Sequence, residues 1–446
     1  MSYLDNILFA ILLIVGFGFF TASVKKIIRN INLGVDVDRK DNPKARWTNM
    51  ALIALGQSRM VRRPVAGILH IFVYVGFVII NIELLEIIID GLFGTHRIFA
   101  PYLGVVYDVL IASFEILAIL VIFAVTVFWI RRNVIRLKRF IHSDLTGFPK
   151  SDANYILYFE TVLMILFLLM NAADLHLQNV PGGFSHFHKT GSYPISQFIA
   201  PIFNGTSNET VGLLFEVFWW LHIAGILVFM NYLYFSKHLH ILLAFPNTYF
   251  ANLKPEGQFD NLESVTKEVK LMMDPNADPF AAAPPADENA APAKFGASDV
   301  QDLNWVQLLN AYTCTECGRC TSACPANQTG KKLSPRKIMM DTRDRLTEVG
   351  KNIDANKGVF VPDNKTLLND YITPEELWAC TSCNACVEEC PVNISPLSII
   401  MDMRRYLVME QSAAPMSLNA MMTNIENNGA PWQYSQQDRL NWKNEN

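Results

Sequence analysis

The chain has 446 residues, 51% hydrophobic and 17% charged, with a formal net charge of −4. Soluble domains carry roughly 25% charged residues, so the composition excludes a single soluble domain and, with its apolar content, intrinsic disorder. The charge gives no footprint for nucleic acid, and all eight cysteines fall between Cys314 and Cys390, spaced as metal-cluster ligands for a reducing compartment, not as disulfide staples.

Five apolar stretches can cross a bilayer, which takes about 20 helical residues: 4–23, 65–90, 103–130, 154–177 and 211–235. Lys25, Lys26 and Arg29 follow the first stretch and no base precedes it, the reverse of a cleavable signal peptide. The connections between spans one and two and between spans three and four are rich in Lys and Arg. The other two carry one each, Arg97 and Lys189. The positive-inside rule predicts an outer N-terminus and a cytoplasmic location for everything after residue 240, as expected in a bacterial or archaeal cytoplasmic membrane.

An intramembrane histidine marks a site, because imidazole is costly in hydrocarbon. His70 lies near the inner end of span two, His222 inside span five, and His238 and His240 at its inner end. On a continuous helix His222 and His240 share a face, about 27 Å apart along the axis, while His238 points about 160° away. Ligands stacked this way suit haems placed one above the other. No Cys-x-x-Cys-His occurs, so such haem is b-type, and two imidazoles per iron leave it an electron carrier only. Arg59, Arg62, Arg63 and Lys237 stand where haem propionates would be neutralised, or where ordinary inner-face anchoring would put them.

The five spans, with Trp220-Leu-His222 and Ser236-Lys-His-Leu-His240 in the last, resemble the cytochrome b subunit of respiratory nitrate reductase and the membrane subunits of heterodisulfide reductases. In that pattern each haem takes one histidine from span two and one from span five. The resemblance implies an inner haem on His70 and His240. The outer position of span two falls on Ile80, so His222 lacks its usual partner for a second haem. Asn81 and His176 do not repair the gap.

Acids also populate the outer halves of the spans: Glu83, Glu86, Asp90, Asp108, Glu115, Asp174 and Glu216. Glu115 is the deepest, about 20 Å along span three, and is the candidate for proton exchange with a quinone, expected to be menaquinone.

Residues 246–298 read as a connector, with an Ala/Pro-rich stretch from Asp274 to Ala297 that suits a disordered tether. An amphipathic helix is expected over Val300–Tyr312. Two copies of one motif follow: Cys314-TE-Cys317-GR-Cys320-TSA-Cys324-Pro and Cys380-TS-Cys383-NA-Cys386-VEE-Cys390-Pro. This is the ferredoxin pattern for two [4Fe–4S] clusters, in which the fourth cysteine of each run serves the other cluster. Cys314, Cys317, Cys320 and Cys390 are expected to hold one cluster, and Cys380, Cys383, Cys386 and Cys324 the second. Paired zinc sites do not use such a run ending in Pro. Between the runs, 333–350 and 373–380 read as helices opened by Ser or Thr before Pro.

That arrangement resembles the α-helical ferredoxin domain of the heterodisulfide reductase, glycerol-3-phosphate dehydrogenase and succinate dehydrogenase families. The tail, with Ile425, Pro431, Trp432 and Trp442, is similar to the segment that precedes CCG-type cysteine-rich catalytic domains. No cysteine remains to build one, so a separate CCG-domain subunit is expected to dock here.

The expectation is therefore all-α: a five-helix transmembrane cytochrome b-like bundle (1–245), a connector (246–298), a cytoplasmic two-cluster ferredoxin domain (299–410) and a docking tail (411–446). It would be a membrane electron-transfer subunit linking a cytoplasmic partner to quinone. The alternatives are the membrane subunit of a thiol/disulfide reductase and a non-enzymatic redox sensor.

Overall fold

The computed structural model describes residues 3–181, 183–184, 187–255, 257–275, 294–433 and 435–444. Among these the chain is helical, with isolated bridges and no strand. Five helices are long and apolar enough to span a membrane: α1 (Tyr3–Ile31), α2 (Pro64–Phe93), α3 (Val105–Trp129), α4 (Phe148–Gln178) and α5 (Asn208–Tyr232). At 1.5 Å per residue the shortest is about 38 Å long, enough for a hydrocarbon core of about 30 Å. Ile11, Phe19, Val78, Leu85, Val109 and Val162 are exposed on their outer faces, a coat suited to lipid.

Local chemistry sets the helix ends. Pro64 occupies the first turn of α2, and Gly94, at φ +69°, closes it by donating to the Asp90 carbonyl at 2.8 Å. The Ser207 hydroxyl caps α5 by accepting from the Thr210 amide at 3.3 Å. Gly76 lets α2 approach α3 closely: a Cβ there would lie 2.6 Å from Val121 Cγ2. Phe9, Ile111, Phe114, Phe167 and Ile223 fill the bundle core.

Span five departs from the continuous helix expected from its sequence. Regular helix ends at Tyr232, a tight turn covers Leu233–Phe235, and Ser236 is extended at φ −105°, ψ 146°. The Ser236 hydroxyl accepts from the His238 amide at 3.0 Å and starts a second tight turn, Lys237–Leu239, before α6 (His240–Tyr249). A local side-chain bond has competed with the helical ladder, so the five-turn phase relation between His222 and His240 does not hold.

The second half contains α7 (Trp305–Thr313), α8 (Pro335–Ala355), α9 (Pro396–Arg405) and α10 (Met416–Asn428). The helix expected over Val300–Tyr312 is split: a single turn spans Val300–Asp302, and α7 starts anew behind an Asn304–Gln307 capping box. Ser334 and Thr373 cap α8 and the short helix Pro374–Trp378. Of the expected tether, 276–293 lies outside the described residues. Just beyond it the Ala297 amide donates to the Asp402 carbonyl at 3.0 Å.

The two halves are docked directly. Arg336, fully buried, pairs with Asp144 of the loop between α3 and α4 and donates to the Arg139 carbonyl at 2.6 Å. The Ser334 hydroxyl donates to Asp144 at 2.5 Å. Arg29, at the end of α1, pairs with Asp354 and donates to the Gly350 carbonyl at 2.9 Å. Asn247 of α6 donates to the Val392 carbonyl at 2.7 Å.

Candidate functional site

The two cysteine runs have the same backbone. Glu316 and Ser382, the residues before the second cysteine of each run, take φ +52° and +56°; Gly318 and Asn384, just after it, take +71° and +61°. These left-handed turns wrap each loop around a centre, and a short helix follows in both copies, Arg319–Ala323 and Ala385–Glu388. At Gly318 space is as restrictive as φ, since a Cβ would meet Arg336 Nη1 at 2.6 Å.

Cysteines of both runs meet at one place, with Cys386 and Cys390 of the second run beside Cys314, Cys317 and Cys320 of the first. Cys314, Cys317, Cys320 and Cys390 line one cavity of about 360 Å³. Cys380, Cys383 and Cys324 all lie within electrostatic reach of Cys386, which also touches the wall of that cavity. Burial pushes the Cys314 and Cys386 thiols up to about 12 and Cys390 to about 11. Thiolates at these positions need a cationic partner, which iron provides. The thiol-rich lining of this cavity is the donor set an iron–sulfur cluster takes.

Arg59, Arg62 and Arg63 do not line the cavity that holds the four histidines. They hold the segment between Cys386 and Cys390: Arg59 donates to the Val387 carbonyl at 3.1 Å, Arg62 pairs with Glu388, and Arg63 with Glu389 at 2.7 Å. Arg319 of the first run reaches back to the Arg59 and Met60 carbonyls at 3.2 and 3.1 Å. Sequence reasoning had no means of pairing these bases with the acids of C-VEE-C, some 326 residues away.

Inside the bundle is a cavity of about 2440 Å³, counted out to its open mouth, lined by His70, His222, His238 and His240 among others. One end lies against Glu83 and Ile87 of α2; the other opens onto Thr315, Cys317 and Arg319. The rings of His70 and His240 are 6.4 Å apart, tilted by 40°. The Nδ1 of His240 donates to the Lys237 carbonyl at 3.1 Å, which commits that nitrogen and leaves Nε2 as the basic one. His238 does not point away, as helical phase implied. Its ring packs 5.3 Å from His240, with Nε2 at 3.5 Å from Glu160. The broken helix brings both rings to one wall. Arg132, Arg139, Arg319 and Lys237 line the cluster-side end, and the buried Arg139 Nε has no partner. Lys237 also pairs with Glu316 of the first cysteine run.

Glu115 does not reach this cavity. Its side chain is fully buried and accepts from the Ile195 and Ser196 amides at 2.8 and 3.1 Å, pinning the connection before α5. It has a structural task where proton exchange was expected. The acids instead converge on Arg97: Glu83 at 2.7 Å and Asp174 at 3.0 Å, with Asn171 accepting at 2.7 Å. Glu86 accepts from the Tyr107 hydroxyl at 2.7 Å, and Asp90 from the Arg97 amide at 2.7 Å. The spacing of Glu83, Glu86 and Asp90 on one face of α2 was the sequence signal for this hub. His176 lies by Phe203, away from the cavity.

Residues 313–394 match the 4Fe-4S dicluster domain family. The chain is 30% identical to the probable iron-sulfur-binding oxidoreductase FadF of Bacillus subtilis, over 96% of its own length and 59% of that protein's. It is 25% identical to the EtfAB:quinone oxidoreductase of Syntrophomonas wolfei, over 92% and 55%. Against a subunit of the ferredoxin/F(420)H(2)-dependent CoB-CoM heterodisulfide reductase of Methanosarcina acetivorans it is 32% identical, over 24% and 52%. The chain thus spans between half and three fifths of these relatives. No solved structure matches it. It is related to iron–sulfur oxidoreductases and to subunits of heterodisulfide reductases.

Proposed function

We propose that the chain is the membrane electron-transfer subunit of a quinone-linked oxidoreductase, holding two [4Fe–4S] clusters and one b haem. The carrying observation is the His70–His240 pair in a cavity that opens onto Cys317. With metal–imidazole bonds of about 2.0–2.1 Å, and each nitrogen about 1.1 Å from its ring centre, two imidazoles that held one metal ion between them would have ring centres about 6.3 Å apart. The observed 6.4 Å fits that geometry. Bound there, the clusters and haem supply one-electron steps between a soluble partner and quinone. The protein's part would be to hold the haem through His70 and His240, with the Lys237 carbonyl orienting His240, and to offer Arg132 and Arg139 to the propionates. Arg59, Arg62 and Arg63 keep the cluster segment against the membrane half.

The basic connections support an orientation with residues 299–446 in the cytoplasm of a bacterium or archaeon. Met416, Ile425, Trp432, Leu440 and Trp442 are exposed in the tail, and support docking of a separate CCG-domain subunit. Similarity to heterodisulfide reductase subunits favours, as a second reading, a partner that performs disulfide chemistry. Adding menaquinol to anaerobic membranes and recording reduced-minus-oxidised spectra tests the proposal. Rapid appearance of a b-haem band is expected; no band in a protein with full haem content would reject it.

A further inference from the structure

Four buried side-chain atoms on the large cavity's wall lack a hydrogen-bond partner, His70 Nδ1, Arg139 Nε, His222 Nδ1 and Glu83 Oε2, although the His222 ring is also bonded to the backbone of Leu163. The first two lie toward the cluster side, where the proposed haem and its propionates would occupy them. The other two lie beyond it. Glu83 is 13 residues past His70 on α2, about 20 Å further along the helix. Both are almost wholly enclosed, His222 at 3% and Glu83 at 2% exposure. Leaving such groups unsatisfied costs stability unless a ligand meets them.

What could meet them is restricted. A second bis-imidazole haem is not supported, because Ile80 faces the cavity at the level where a ligand is required. The wall between the two polar atoms is apolar, with Gly76, Ile80, Leu84 and Phe167. His222 packs on Phe167 at 6.0 Å. A flat ring with one hydrogen-bonding oxygen at each end and an apolar tail matches this layout. We infer that the far end of the cavity is the quinone site, with His222 and Glu83 bonding the two oxygens of the headgroup. The inference rests on the quinone-linked reading above.

Glu83 is equipped for more than binding. Its Oε1 is held by Arg97 at 2.7 Å while Oε2 faces the cavity. Reduction of a quinone to a quinol takes two electrons, arriving singly from the metal centres, and two protons, one per oxygen. Glu83 passes one proton from Oε2 to the oxygen it bonds and is reprotonated from water on the far side. His222 passes the other to the opposite oxygen and recovers it likewise. Oxidation of a quinol is the reverse.

The test uses full-length protein in lipid nanodiscs, with a menaquinone analogue carrying an aryl azide on its ring. Photolabelling is expected on peptides containing Glu83 or His222. Glu83→Gln is expected to lower quinone turnover by about 10²-fold or more, as loss of a proton-transfer group does. Haem content and dithionite reduction should stay unchanged. His222→Leu should raise the KM for quinone and abolish labelling of its peptide, again with haem content intact. Two results would overturn the inference: labelling elsewhere with Glu83→Gln turning over normally, or loss of one of two haems on His222→Leu. If quinol fails to reduce haem in the unmodified protein, the quinone-linked reading itself falls.

Discussion

Replacing Arg336 with Met should unfasten the dicluster half from the membrane half. Arg336 has no exposed surface, and its partner Asp144 is 4% exposed. The guanidinium also donates to Asp144 Oδ2 at 3.2 Å and to the Arg139 carbonyl at 2.6 Å, directly beneath the cavity that Cys314 and Cys390 line. Removing one member of a buried pair leaves the other charge uncompensated and costs about 3–5 kcal/mol, whereas replacing both with apolar groups is close to neutral. At about 1.4 kcal/mol per tenfold, the docked state of Arg336→Met weakens by roughly 10²-fold to several thousandfold. Hydrogen exchange of the amides in 313–346 should rise by that factor, while exchange within α3 and α4 stays unchanged. Arg336→Met with Asp144→Leu should recover most of the protection. Burial pushes the Asp144 carboxyl up, but the Arg336 bonds outweigh it and hold it below the ordinary carboxylate range. A folded-state value below the unfolded one gives stability that is present above about pH 4 and lost as pH falls through the folded value. The variant should therefore lose its acid-induced undocking step. Equal losses in the single and double variants would refute the reasoning.

His70→Ala or His240→Ala should each abolish the b-haem spectrum, whereas His238→Ala should retain it, because only His240 has its Nδ1 committed to a backbone carbonyl. Anaerobically purified protein should contain about eight irons and eight acid-labile sulfides beyond haem iron, four per cubane; zinc in their place would reject the cluster assignment. Cys390→Ala should remove the electron paramagnetic signal of the cluster held by the first run and spare the other. Purification in mild detergent should bring along a subunit with CCG motifs, and full-rate quinone reduction by the isolated chain from a soluble donor would exclude that partner.

The parts that could be read from the sequence are those set by short-range rules. Apolar length located the spans closely, with 65–90 observed as Pro64–Phe93 and 103–130 as Val105–Trp129. Ser334 and Thr373 ahead of proline marked real helix starts. Cysteine spacing marked the segment that matches the 4Fe-4S dicluster domain family, residues 313–394. Failures occurred where one side chain redirected the backbone or where partners were remote in sequence. The Ser236 cap broke a helix that was assumed continuous, which invalidated the argument about His238. Glu115 was judged by depth alone, and depth says nothing about amides arriving from Ile195 and Ser196. Arg97 was counted as a loop charge; the spacing of acids on α2 hinted at a hub, but its partners Asn171 and Asp174 on α4 are remote in sequence.

The three residues Val387, Glu388 and Glu389 join a cysteine of one cradle, Cys386, to a cysteine of the other, Cys390, and they are also what Arg59, Arg62 and Arg63 hold. The two cradles are therefore joined by one short covalent path that the bundle itself grips. Filling one tethers the ends of the other, and the bundle's basic loop has to be in place to receive both. The same linkage means that these bases brace the second cradle even when the first is empty, because their grip on 387–389 does not depend on Cys390.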